Sequence, residues 1–305
     1  MMDLRRLLVL RVLAERGTVT AAAADLHVTP SAVSQQLRAL TEEIGVPLLS
    51  RTGRNVELTP AAYALLAHAD DLGARWEAAR ADIAARGNAL TGNLRVCGVS
   101  SAVAALLLPA AARLRESHPG ITVHVGELES EDCFRELLAG RADIALTLPA
   151  AHTPPAGDPR YEQRVLFEDV QDLLVPYGHP LTEQAEVALA DARTEAWIAE
   201  PAHNDSYDLL VAACAAAGFT PHITHHVKEW FAVSAAVAYG FGVCLLPRLV
   251  PIPAEHPVVR LPLRGSVRPV RTIIAGTRRG SAGHPLVAAG MHAVDAIAAE
   301  FASPS

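Results

Sequence analysis

The chain has 305 residues, half of them apolar, which is enough to bury cores in two or three domains and excludes a disordered or single-module protein. Its formal charge is −7, but residues 1–60 carry seven basic and six acidic side chains, a balance of +1, and the rest of the chain carries −8. No apolar run approaches the roughly 18 residues a membrane helix needs, and Arg5, Arg6 and Arg11 interrupt the first apolar stretch, so a cytoplasmic protein is expected.

The segment Thr18 to Leu40, TVTAAAADLHVTPSAVSQQLRAL, predicts two short helices joined by a tight polar turn. Thr18 or Thr20 can cap the first helix, whose Ala21, Ala22, Ala24 and Leu26 are small enough to let a second helix cross closely. His27-Val28-Thr29 forms the turn, and Pro30 opens the next helix where its missing N–H costs nothing. Val33, Leu37 and Leu40 then recur at i, i+4 and i+7 as one buried stripe. Ser31, Ser34, Gln35 and Arg38 fall on the other face, where short polar side chains suit base edges: Gln pairs adenine bidentately, and Arg pairs guanine or a phosphate. Thr29 stands at the entrance to this helix.

Gly45 and Pro47 break the helix, and Leu48 to Leu58 reads as two short strands around a Thr-Gly turn. That makes a winged helix-turn-helix, with Arg51 and Arg54 on the wing facing phosphates or a minor groove. From Ala61 to Arg86 a run without proline repeats Leu65, Ala69, Leu72, Trp76, Ala79 and Ile83 at spacings of 4 and 3, a heptad seam. Such a seam on an isolated helix leaves Trp76 and Ile83 in water, so it calls for a second helix, most simply its copy in another subunit.

Beyond Gly87–Gly92 short strands alternate with alanine-rich helices. Strands near Leu94–Val99, Ile121–Val125 and Asp143–Leu148 enclose helices at Val103–Ser117 and Cys133–Ala139, a βαβαβ order that implies a parallel sheet. After the Pro-rich loop 152–159, a second unit has strands at Leu173–Pro176, Trp197–Glu200, His222–Val227 and Val243–Leu246, with helices at Ser206–Ala217 and Phe231–Tyr239. Strands near Val258–Leu263 and Val270–Ala275 and a helix over Pro285–Phe301 close the pattern.

Three stretches carry a resemblance: Leu4–Ala14 with Ala21–Leu40 and EEIGVPLLSRTGRNVELTPA; GRADIALT at Gly140–Thr147; and AVAYGFGVCLLP at Ala236–Pro247. Together they resemble the LysR-type transcriptional regulators over nearly the whole length. The fold class implied is α/β with an N-terminal winged helix-turn-helix and an effector domain of two α/β subdomains resembling periplasmic binding proteins. The domain plan is 1–60 for DNA binding, 61–88 for a dimerising linker helix and 89–305 for effector binding. Subdomain I is expected at about 93–166 and 268–305, and subdomain II at about 167–267, with the chain crossing twice near Arg164–Glu168 and Gly265–Pro269. Expected partners are double-stranded operator DNA, a second copy as homodimer or homotetramer, and an unidentified small-molecule effector, with no cofactor, membrane partner or catalysis.

Ligands in such sheets bind beyond the carboxyl ends of the strands. Ser100 and Ser101 follow the first strand and open a helix, offering hydroxyls and N–H groups, although an ordinary cap explains one serine equally well. By topology Thr147, Glu200, His203 and Asn204 resemble positions lining the family's effector cleft. Trp230 and Ser234 begin a helix where a flat side chain can roof an apolar ligand, and Lys228, the only lysine, can neutralise an acidic one. His222, His225 and His226 do not complete a metal site, because 225 and 226 face opposite sides of a strand. Cys97, Cys214 and Cys244 lie in apolar segments and read as core residues, and neither Cys214 nor Cys244 has the basic surroundings of a reactive thiolate. Two other readings stay open: a small-molecule carrier on the same two-subdomain architecture, and an enzyme using Glu200 with His203.

Overall fold

The computed structural model describes residues 4–52, 55–87, 90–150, 152–202, 205–265 and 268–302. It divides into two compact units, Met1–Arg86 with Arg279–Gly283, and Gly87–Arg278 with His284–Ser305.

The first unit starts with three helices, α1 (Leu4–Arg16), α2 (Val19–Asp25) and α3 (Pro30–Ile44). A two-stranded hairpin, β1 (Leu49–Thr52) and β2 (Asn55–Leu58), leads to the long helix α4 (Pro60–Ala85). Threonines set the helix starts. Thr18, Thr29 and Thr59 each accept a hydrogen bond at Oγ1 from the backbone N–H three residues on, and Pro30 and Pro60 follow two of them. Gly45 ends α3 in the left-handed conformation at φ 79°, which only a residue without a Cβ adopts cheaply. The core gathers Leu10 and Leu13 from α1, Ala22 and Ala23 from α2, Val33, Leu37 and Leu40 from α3, Leu48, and Leu66 from α4. On α2 the expected Ala22 is buried together with Ala23, while the expected Ala24 is exposed, because the buried face of this short helix runs between Ala22 and Ala23. Arg11 ties α1 to α4 through the Leu66 carbonyl, at 2.9 Å, and the Asp70 carboxylate.

In the second unit β3 (Gly92–Gly98), β4 (Ile121–Glu127) and β5 (Ile144–Thr147) are parallel, with β3 between the other two. The connection after β3 is a short helix α5 (Ser100–Ala102), a wide π-helical turn (Val103–Leu107) and α6 (Leu108–Ser117). Pro109 lies just beyond the π turn, which relieves the contact its ring would make in a regular helix and the hydrogen bond its nitrogen cannot give. Helix α7 (Ser130–Leu138) joins β4 to β5.

Strand β6 (Tyr161–Pro176) runs for 16 residues, far beyond the four expected from Leu173–Pro176, because charged and apolar residues mix along its first half without a clear alternation. The remaining elements are β7 (Ala196–Ala199), α8 (Asp205–Ala216), β8 (His222–His226), α9 (Trp230–Ala238), β9 (Cys244–Pro247), β10 (Val258–Leu261), β11 (Val270–Arg278) and α10 (Pro285–Ala302). The main sheet has the order β10-β6-β11-β5-β3-β4, with β9 also on β6, while β7 and β8 pair separately in parallel. Residues 161–170 of β6 pair with β11, and residues 171–176 pair with β9 and β10. One strand therefore belongs to both lobes. The first lobe packs Leu94, Val96, Leu106, Ile144 and Leu146 against Ile273, Leu286 and Ile297 from β11 and α10. The second packs Leu173 and Val175 with Trp197, Leu210, Cys214, Val243 and Leu261.

Candidate functional site

On the first unit, α3 buries Val33, Leu37 and Leu40 and leaves Ser31, Gln35 and Arg38 exposed, with Ser34 half-buried. The Thr29 hydroxyl is exposed but already engaged, capping α3 through Ala32 and lying 3.0 Å from the Ser31 hydroxyl. A groove between α3 and the hairpin is lined by Ser34, Arg38, Thr41, Glu42, Ser50 and Val56, so the outward face of the helix and the wing form one continuous surface. The backbone of Arg51 pairs with Val56 in that hairpin, and Arg54 lies outside the described residues. Along α4 the heptad positions Leu72, Trp76 and Ile83 are 44%, 56% and 68% exposed, an apolar seam facing solvent.

On the second unit a cavity of about 320 Å³ opens between the lobes. Its floor is built by the strands that cross between them. Arg271 on β11 and Asp169 on β6 are register partners, and Arg271 donates from Nη2 to Asp169 Oδ2 at 2.6 Å and to Ser101 Oγ at 2.7 Å. Both charged groups are buried; Asp169 also accepts the Leu249 N–H at 3.1 Å. Burial pushes the Asp169 carboxyl above its ordinary range, and Arg271 opposes that shift without cancelling it. Among the described residues Arg271 Nε is buried with no hydrogen-bond partner.

Ser100, Ser101, Glu200 and Trp230 from the sequence-derived set all line this cavity, brought there by α5, the end of β7 and the start of α9. Glu200 is only 8% exposed, and burial raises its carboxyl to about 7 despite a hydrogen bond from Ser206 and the charges of Arg271 and Lys228. Two expected residues are placed elsewhere. Thr147 is fully buried in β5, its Oγ1 without a partner among the described residues, and the next residue, Leu148, reaches the cavity instead, because strand side chains alternate between faces. Ser234 is buried on another face of α9, donating to the Phe231 carbonyl at 3.0 Å and lying 2.8 Å from His256 Nδ1. His203 and Asn204 lie outside the described residues.

The sequence reading missed Arg271, Glu127, Glu129, Asp132, Ser206 and Glu229 on the cavity wall. A signal for the floor was present: Asp169 and Arg271 are unlike charges inside strand-like runs, FEDVQDLLVP and VRPVRTIIAG, where an ion can be buried only with a partner. Lys228 does line the cavity, but its ammonium is hydrogen-bonded to Glu129, joining the second lobe to the first. A second cavity, of about 380 Å³, shares Glu129, Asp132 and Lys228, so this ion pair stands between the two spaces. All four cysteines are free and buried, and burial pushes Cys214 and Cys244 up to about 12, far from a reactive thiolate. Among the described residues no cluster of three or more His, Cys, Asp or Glu is placed to hold a metal, and no helix is long and apolar enough to cross a membrane.

A winged helix-turn-helix carried on the same chain as a two-lobed α/β domain with a polar cavity defines a ligand-responsive DNA-binding protein. Comparison with known proteins gives the family. The model described as LysR substrate binding domain matches residues 87–297, and the one described as bacterial regulatory helix-turn-helix protein, lysR family, matches residues 4–63. The HTH-type transcriptional regulator AlsR of Bacillus subtilis (strain 168) is 32% identical over 256 residues, covering 81% of this chain and 80% of that protein. The transcriptional dual regulator GltC of the same organism is 29% identical over 85% of this chain and 88% of its own length. A full-length OxyR structure from Pseudomonas aeruginosa superposes with a TM-score of 0.68 at 20% identity, over 96% of this chain and 95% of that one. This chain belongs to the LysR family of DNA-binding transcriptional regulators, with a substrate-binding domain that takes an effector.

Proposed function

We propose that the chain works as a homodimer or homotetramer joined through α4, and that filling the cavity between the lobes changes its hold on operator DNA. Support for base reading comes from the polar face of α3, where Gln35 and Arg38 stand exposed over a stripe buried to 2% or less. Thr29 and Ser31 at the helix entrance, Ser34 beside the wing, and the wing arginines Arg51 and Arg54 are assigned to backbone and groove contacts. The assignment of both arginines rests on sequence alone. On the effector side the residues assigned are Ser100, Ser101, Glu200 and Trp230, joined by Arg271 and Ser206. No catalysis and no cofactor are assigned: the protein's work is binding, and the relatives it matches are named as transcriptional regulators.

The test is binding of the purified full chain to the intergenic DNA beside its own gene, at two salt concentrations and against a scrambled competitor. Sequence-selective binding that weakens with salt supports the reading, because each neutralised phosphate releases counterions. Equal affinity for the scrambled DNA removes it.

A further inference from the structure

The polar groups of the cavity between the lobes differ by depth, and that difference names what enters it; this inference rests on the reading of that cavity as the effector site. At the rim Glu127, Glu129 and Glu229 are exposed, where water and salt screen them, and Asp132 is paired with Arg135 one turn along the same helix. Glu129 also holds the Lys228 ammonium. The floor is different: Ser101, Glu200 and Arg271 are each more than nine-tenths buried and still line the cavity. Charges and hydrogen bonds count for more at that depth, because little solvent reaches them.

These three side chains present donors. Arg271 is 6% exposed, both of its hydrogen bonds leave from Nη2, and Nε and Nη1 have no partner among the described residues. A buried guanidinium with unused N–H groups is costly unless something accepts from them. Ser101 Oγ accepts from Arg271 at 2.7 Å, which leaves its own proton to donate, and Ser100 puts a second hydroxyl on the same wall. Glu200 accepts from Ser206, and burial raises its carboxyl to about 7, so near neutral pH its protonated form supplies a further donor. Asp169 balances the guanidinium from behind through Nη2 alone. One ligand group satisfies several such donors at once and suits a guanidinium best, and that group is a carboxylate.

We propose that the effector carries a carboxylate received at the floor by Arg271 and the Ser100 and Ser101 hydroxyls, that Glu200 joins the complex as a neutral acid donating to the same group, and that an apolar body lies along Trp230 and Leu148. Binding then takes up a proton from solvent at Glu200, since an ionised Glu200 beside the ligand would repel it. The other charged groups facing Glu200 are Arg271 with Asp169 behind it, Lys228 and Glu129, and His226 Nδ1 lies 3.3 Å from the Glu200 carbonyl oxygen. Burial raises Asp169 as well, and histidine as a residue type changes charge between about pH 5 and 8, so the decisive comparison is the parent against Glu200→Gln, which leaves both in place.

The test is calorimetric titration of the full chain at pH 6 and pH 8 with 3-phenylpropanoate and its neutral amide, 3-phenylpropanamide. The carboxylate should bind more tightly than the amide, and roughly tenfold more tightly at pH 6 than at pH 8, the ratio of protonated Glu200 at the two pH values. At pH 8 its heats in buffers of different ionisation enthalpy should show about one proton taken up per ligand bound. Glu200→Gln should bind it equally at both pH values without proton uptake. Ser100→Ala, at a half-buried position, should weaken it roughly tenfold, the loss of one hydrogen bond to a charged group. An amide bound as tightly as the carboxylate, no tightening toward pH 6, a pH dependence that survives Glu200→Gln, or no binding of 3-phenylpropanoate overturns the proposal. Operator binding measured on the same samples, with and without the carboxylate, keeps the two readings apart. Selective DNA binding without a carboxylate preference sinks only this inference, whereas proton-coupled carboxylate binding that leaves operator affinity unchanged sinks the reading of the cavity as the effector site.

Discussion

Two side chains carry the sharpest predictions at the residue scale. Gln35 stands exposed on α3 above a stripe that holds the helix in place, so Gln35→Ala removes no packing and should act on DNA alone. A bidentate base contact is worth about 1–3 kcal/mol of discrimination, so the substitution should narrow the gap between cognate and scrambled DNA by that amount, read from competition binding. An equal loss on both sequences would remove Gln35 from base reading. Glu200 tests the cavity through pH. Its folded carboxyl titrates near 7, above an unfolded value near 4.5, so the native state holds the proton more tightly than the unfolded chain. Its contribution to stability is therefore fully present below about pH 4.5 and is lost as pH rises through 7. Glu200→Gln should raise the melting temperature at pH 8, by an amount corresponding to at most about 3 kcal/mol, and leave it nearly unchanged at pH 4.5. A variant less stable than the parent at pH 8 would show that the carboxylate is favoured there.

At the scale of elements, α4 presents Leu72, Trp76 and Ile83 to solvent along one seam, while Ala62 and Leu66 near its start are buried with the DNA-binding core. The helix is thus anchored through Ala62 and Leu66, and Ala81 is buried further along, while among the described residues Leu72, Trp76 and Ile83 stay largely open to solvent. Trp76→Glu with Ile83→Glu should leave the fold intact by circular dichroism but shift the chain to monomer in sedimentation, because burying two carboxylates across a helix pair is costly. An unchanged oligomer would place the interface elsewhere. This seam, the helix-turn-helix and the wing were legible in sequence because each has a short, strong period or a capping pair such as Thr29-Pro30. The length of β6 was not legible, since its first half mixes charged and apolar residues and owes its strand state to the partner β11, more than 90 residues later. The cavity was legible only in part for a related reason. Ser100, Ser101, Glu200 and Trp230 sit at ends of elements that sequence can place, but a one-residue difference in strand phase sends Thr147 into the core and Leu148 to the wall. Arg271 and the Glu127–Asp132 group depend on which strands become neighbours, and no local pattern encodes that.

The whole molecule is threaded so that its second lobe, residues 171–263, is one uninterrupted stretch, while the first lobe is closed only by β11 and α10. The core of that first lobe draws Leu94, Ile144 and Leu146 from one side of the interruption and Ile273, Leu286 and Ile297 from the other. During synthesis, where the chain emerges from its amino end, the DNA-binding helices and the second lobe have all their own core residues before the first lobe does. The first lobe must wait with Leu94, Leu106 and Leu146 uncovered until α10 has left the ribosome. A nascent chain therefore spends part of its synthesis with its helix-turn-helix formed and the cavity between its lobes still lacking the strand that carries Arg271, and a stalled or shortened product would retain that imbalance.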